Sequence, residues 1–128
     1  MRVLLDTHTF LWWNLGDPQL SSSALALIGD GRNEICVSGA TAWEIAIKFH
    51  KGRLVLPEPP ERYVPNRMAQ NRFLPLPIQL SHALRVATLP EIHIDPFDRL
   101  LVAQSQLENL PILTCDPEIA RYAIDVIW

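Results

Sequence analysis

Apolar residues in this chain fall into short unbroken runs separated by stretches of helical spacing. Arg2–Leu5 holds the run VLL and stops at Asp6 and Thr7, which predicts a short buried strand. Thr7–Leu15 then predicts a helix, and Ser21 is placed to cap a second helix through Ile28, with Gly29 and Gly31 as its stop. Ile35–Val37 is the next strand. From Ala40 to His50 the sequence ATAWEIAIKFH combines helix formers with a wide apolar face and ends before Gly52, a natural helix-terminating glycine. Pro57–Arg72 is proline-broken, which predicts a loop and a short helix after Pro60 whose course across Pro65 stays open. Phe73–Ile78 carries prolines that only an edge strand tolerates. Ser81 is placed to cap a helix through Ala87. Asp95–Pro96 opens the strongest helix signal: an Asp N-cap, Pro at the first helical position, and Phe97, Leu100, Leu101 and Leu107 along one side, ending near Asn109. Ile112–Thr114 is a strand, Asp116–Pro117 caps a last short helix, and Ile124–Ile127 closes the pattern as a strand.

Strands alternating with helices imply right-handed βαβ units, hence an α/β sandwich with a mainly parallel central sheet. At 128 residues and 48% hydrophobic content, one domain with a core of its own is expected. No apolar stretch reaches 18 residues, and MRVLLDTHTF meets charge too early for a signal-peptide core, so a soluble cytoplasmic protein with no membrane association is expected. Cys36 and Cys115 stand in apolar contexts and read as buried, reduced thiols. The formal charge of −3 argues against a general nucleic-acid coat protein. It leaves a nuclease open, because cations held by active-site carboxylates cancel that charge. Lys48, Lys51, Arg53, Arg62, Arg67 and Arg72 form either a phosphate-facing stripe or a solvated helical surface.

Asp6 and Asp116 follow the apolar runs VLL and PILT. In a parallel sheet both would project into the crevice outside the carboxyl ends of the strands. Helices of βαβ units begin on that same side, so Glu44, in the first half of its helix, and Asp98, in the first turn of its own, can reach the same pocket. Like charges that close raise one another's pKa or require a cation. All-oxygen ligation suits Mg²⁺, with Mn²⁺ as the alternative, and a site of this kind hydrolyses phosphodiesters by activating water. Each acid also has a structural reading. Asp6, Asp95 and Asp116 are placed as helix caps, Asp98 sits where the helix dipole favours it, and Glu44 could occupy an exposed stripe. Thr7 and Thr114 stand beside the two strand-end acids, where they could orient a carboxylate or serve as ordinary strand and cap residues. His8, His50, His82 and His93 show no ligand spacing and are left out of the metal site.

The segments LLDTHTFLWW, TAWEIAIK, HIDPFDRLLVAQS and LPILTCD, in that order and spacing over nearly the whole chain, resemble the motifs of the PIN-domain family, and within it the VapC-like toxin branch. The resemblance implies a PIN-like fold and a Mg²⁺- or Mn²⁺-dependent endoribonuclease. Its acidic residues map onto Asp6, Glu44, Asp98 and Asp116. Thr7 and Thr114 would support them. Asp95 belongs to the DPFDR form of the third motif, either as a metal-site residue or only as a cap, and Arg99 would contact phosphate or form a helix-surface salt bridge. The resemblance further implies an RNA substrate, a small antitoxin whose C-terminal segment places a basic side chain in the acidic groove, and a homodimer. Phe10, Leu11, Trp12 and Trp13 would then serve the dimer interface or the core. Three other readings stand beside it: a non-catalytic PIN-like domain that binds RNA or protein, a DNA-directed nuclease, and an aspartyl phosphotransfer domain using Asp6. The last is disfavoured because the run DTHT lacks a second aspartate two residues on.

Overall fold

The continuity of the VLL run is explained by burial on both sides. In a computed structural model that describes residues 1–128, strand β1 (Arg2–Leu5) occupies the middle of a five-stranded sheet. The other strands are β2 (Glu34–Ser38), β3 (Leu74–Leu76), β4 (Ile112–Leu113) and β5 (Val126–Ile127). Their order is β3-β2-β1-β4-β5, and every pairing is parallel. Alternation along β1 sends Val3 and Leu5 into a cluster with Phe10, Ile45, Tyr63 and Phe73, and Leu4 into a second cluster with Leu101, Val102 and Ile119. Helices therefore cover both faces, as a buried parallel sheet requires.

The helices are α1 (Thr7–Leu15), α2 (Ser22–Gly29), α3 (Gly39–His50), α4 (Pro60–Asn71), α5 (Leu80–Arg85) and α6 (Pro96–Glu108), with 3-10 turns at Val86–Thr88 and Ile119–Arg121. Caps fix most boundaries. Ser21 accepts from Ala24 N–H at 3.0 Å, and the oxygens of Asp6 and Asp95 cap α1 and α6. Asn109 ends α6 in the left-handed conformation, φ 53°.

Four expectations fail. The short broken helix after Pro60 is a continuous one of 12 residues through Pro65. Pro65 faces solvent while Tyr63 and Val64 beside it are buried, so core packing outweighs the one backbone hydrogen bond the proline removes. The cap of α5 is Gln79 rather than Ser81: its backbone N–H donates to His82 Nδ1 at 3.0 Å in a capping box. Leu107 is 40% exposed, because α6 buries the unbroken segment Leu100–Ser105 instead of a single stripe. Cys36 is buried but Cys115 is exposed, since Thr114 just before it turns inward where β4 has ended.

Candidate active site

Five parallel strands end on one side, and that edge gathers the acids. Asp6 is the first residue beyond β1, Thr114 the first beyond β4, and α3 starts directly after β2. Asp6 is 4% exposed; its Oδ1 accepts from Thr9 N–H at 2.7 Å and its Oδ2 from Thr114 Oγ1 at 2.5 Å. Asp6 thus caps α1 with one oxygen while Thr114, just beyond β4 and 108 residues away in sequence, fixes the other.

Glu44 is 3% exposed and held from both sides. Its Oε1 accepts from Thr7 Oγ1 at 2.6 Å and its Oε2 from Lys48 Nζ at 2.5 Å, one turn along α3. Thr7 Oγ1 also lies 3.2 Å from Thr41 Oγ1. A hydroxyl has one hydrogen, so with Thr7 donating to Glu44 it is Thr41 that donates to Thr7. The carboxylate therefore ends a short hydrogen-bonded chain.

Asp98 and Asp116 are held less tightly. The Asp98 side chain has only His93 Nε2 near it, at 3.4 Å from Oδ2, and His93 Nδ1 is engaged by the Tyr122 hydroxyl at 2.8 Å. Asp116 Oδ1 accepts from Glu118 N–H at 2.8 Å, at the entry to the final 3-10 turn, and its own N–H donates to Thr114 Oγ1 at 3.0 Å. Asp95 is the N-cap of α6: its Oδ1 accepts from the N–H groups of Phe97 and Asp98, at 2.9 and 3.0 Å.

The electrostatics follow from this packing. Burial, reinforced by the negative charges of Asp95, Glu44, Asp116 and Asp6, pushes the Asp98 carboxyl up from 3.8 to about 8. Burial also raises the Asp6 carboxyl, against the opposing hydrogen bonds from Thr114 and Thr9. Asp6, Glu44, Asp98 and Asp116 thus share one electrostatic environment, whose only ammonium in contact is that of Lys48. No three Asp, Glu, His or Cys side chains close around one point as a ready-made cage. The donors nevertheless fit a hard cation that keeps several of its waters: they are carboxylate oxygens, and Asp98 bears an uncompensated cost that such an ion removes.

Other expected residues lie elsewhere. Arg99 reaches neither the crevice nor a surface carboxylate. Its guanidinium donates to the carbonyls of Pro90 at 2.8 Å and Val86 at 3.2 Å and to the Tyr122 hydroxyl at 3.1 Å, which pins the segment before α6. Of the six basic residues, five are placed away from a common phosphate-facing stripe, and Arg62 is an exposed residue of α4. Lys48 is committed to Glu44, and the Arg67 guanidinium lies 5.2 Å over the Tyr63 ring. Lys51 and Arg53 follow the far end of α3, and Arg72 precedes β3, which places all three at the opposite end of the sheet from the acids. Of the aromatic run, Phe10 is core, while Leu11, Trp12 and Trp13 are partly buried against it.

Sequence reasoning missed two neighbours of the acids. Lys48 was legible through its i,i+4 spacing from Glu44 on a predicted helix. His93 precedes the cap of α6 in a loop with no periodicity, and no local signal marks it.

The PIN domain family matches residues 3–125 of the chain. The chain belongs to the PIN domain family. A relative, Ribonuclease VapC16 of Mycobacterium tuberculosis, is 39% identical over 85 residues, which cover 62% of this chain and 60% of that protein. The chain thus spans about three fifths of the length of the curated relative it matches. Among solved structures, VapBC2 from Rickettsia felis bound to a promoter DNA fragment superposes with a TM-score of 0.72 at 15% identity, covering 99% of this chain and 98% of that one. DNA-bound VapBC from Salmonella typhimurium gives 0.71 at 17% identity, with 99% and 97% covered. At these identities the two structures speak for the fold: the PIN arrangement of a parallel sheet between helices.

Proposed function

We propose that this PIN domain is a divalent-metal-dependent endoribonuclease and the toxin of a toxin–antitoxin pair. What supports the reading is the Asp98 carboxyl, lifted to about 8 by burial and further by the charges of Asp95, Glu44, Asp116 and Asp6 beyond the carboxyl edge of the sheet. Similarity to a protein named as a ribonuclease supports the substrate class. The four carboxylates would hold Mg²⁺ or Mn²⁺, which when bound supplies an activated water and charge stabilisation at the phosphate. The chain's own residues do the rest. Thr114 and Thr9 fix the two oxygens of Asp6, and Thr7 fixes Glu44, so each acid keeps its orientation without a substrate present. Lys48 holds the other oxygen of Glu44 and offsets its charge.

A solved structure of like fold is a toxin–antitoxin complex from Klebsiella pneumoniae, and such a partnership is proposed here: a small protein that inserts a basic side chain into this acidic crevice, in the cytoplasm where the RNA lies.

The test is incubation with single-stranded RNA and with DNA of the same sequence, in Mg²⁺, in Mn²⁺ and in excess EDTA, followed by mapping of new 5′ ends. Discrete RNA cuts that need the metal are expected. Undiminished cleavage in EDTA removes the mechanism, and intact RNA under every condition removes the function.

A further inference from the structure

Trp43 is 53% exposed, although it stands on α3 immediately before the buried pair Glu44 and Ile45. Its indole meets the ring of Phe97, the residue immediately before Asp98, with centroids 5.0 Å apart and planes at 80°. The two aromatics therefore bridge the helices that carry Glu44 and Asp98, at the rim of the acidic crevice. An edge-to-face pair locks one ring by its neighbour and leaves a π-face of the exposed ring uncovered. Leaving so much indole in water is unfavourable for folding alone, so the position calls for an occupant.

The chemistry beside it selects which. Carboxylates that bind a cation draw a phosphate to the crevice, and in a nucleic-acid strand each phosphate lies one ribose away from a base. Proteins recognise RNA chiefly through unpaired bases splayed onto aromatic side chains, and every base offers a face for this contact. We propose that Trp43, braced by Phe97, stacks an unpaired base of the RNA strand next to the scissile phosphate and so positions that phosphate over the carboxylates. This assignment rests on the nuclease reading above. The same aromatic pair joins α3 to α6, the helices that carry Glu44 and Asp98.

The experiment uses the full chain with an oligoribonucleotide containing its mapped cut site, and a set of the same oligonucleotide with an abasic ribose at one position at a time. For the wild type, removing the base at one position flanking the cut should raise KM about 5- to 150-fold with kcat little changed. Trp43→Ala should raise KM on the intact RNA by a similar factor and add nothing on that abasic substrate, while Trp43→Phe, which keeps a ring and guards against a folding defect, should recover most of the affinity. An equal fold-loss from Trp43→Ala on intact and on abasic RNA, or no loss on either, overturns the stacking contact and leaves the nuclease reading standing. Failure of the wild type to cut any RNA overturns both. A change in sedimentation for Trp43→Ala, with base dependence unaltered, gives the face to a second copy of the chain and also overturns the proposal.

Discussion

Asp6 and Glu44 differ from Asp98 in how the protein carries their charge. The first two are almost wholly buried, and each receives two hydrogen bonds whose donors come from other turns or strands. Asp98 is less buried, has only a 3.4 Å approach from His93, and is the carboxyl driven to about 8. Burial raises the Asp6 and Asp98 carboxyls alike; what differs is that Asp6 has donors that oppose the rise, whereas Asp98 has neighbouring carboxylates that add to it. The chain thus supplies donors to one half of its acidic site and leaves the other half to whatever binds there.

Replacing the exposed half should break this contrast most visibly. Asp98→Asn keeps the shape and removes the charge, so RNA cleavage is expected to fall at least about a hundredfold in single-turnover assays. The metal-free protein should melt higher than wild type because the burial cost of the charge, and the repulsion from four neighbouring carboxylates, are gone. A full loss in Asp95→Asn with Asp98→Asn still active would transfer the role to the capping residue.

The pH dependence of stability sharpens the same point. The folded Asp98 carboxyl titrates near 8, against 3.8 as its ordinary value, so between those limits the folded state holds the extra proton. Stability of the metal-free chain should therefore fall as pH rises from about 4 towards 8, and Asp6, shifted in the same direction, adds to the slope. Asp98→Asn should make the slope shallower. Mg²⁺ should raise the melting temperature most at the alkaline end, where the uncompensated charge is largest. Thermal melts at several pH values, with and without Mg²⁺, check this, and a flat profile would show that the charge is relieved within the protein.

On the satisfied half, Thr114→Val removes the hydroxyl that donates to Asp6 and accepts from Asp116. A loss of about 1–3 kcal/mol in urea unfolding at neutral pH is expected, with no cavity to blame, because valine has nearly the same shape. The smallest effect separates capping from site chemistry: Asp95→Ala should cost about 1 kcal/mol through the lost α6 cap, whereas Asp95→Asn, still a good cap, should be near neutral.

Much of this arrangement was legible because parallel sheets impose strong local signals. The runs VLL and PILT marked strands buried on both faces, and Asp6 directly after the first and Asp116 two residues after the second had to emerge at the same edge. The Asp95–Pro96 start and the Asn109 end of α6 were readable from cap chemistry. The failures share one cause, a long-range contact overriding a local rule. Pro65 breaks a helix by propensity, yet the flanking Tyr63 and Val64 are anchored in the core. Arg99 looks like a surface or phosphate contact in sequence, yet carbonyls 9 and 13 residues earlier claim its guanidinium. The basic residues from Lys48 to Arg72 are close in sequence and were read together, although the chain direction already sends Lys51, Arg53 and Arg72 to the wrong end of the sheet.

The placement of β1 between β2 and β4 also has a consequence in time. Asp6 follows β1 directly, but the Thr114 hydroxyl that fixes it, just beyond the strand on the other side of β1, is made 108 positions later. Such a distant pairing closes a long loop and is among the last a growing chain can form. The acidic crevice is thus incomplete on a nascent chain even when β1, β2 and α3 are already present, and a chain arrested before β4 should show neither protection of the Asp6 region in hydrogen exchange nor RNA cleavage. On the nuclease reading, the site would stay unformed throughout the synthesis of the 108 positions that separate Asp6 from Thr114, a safeguard written into strand order rather than into any inhibitor.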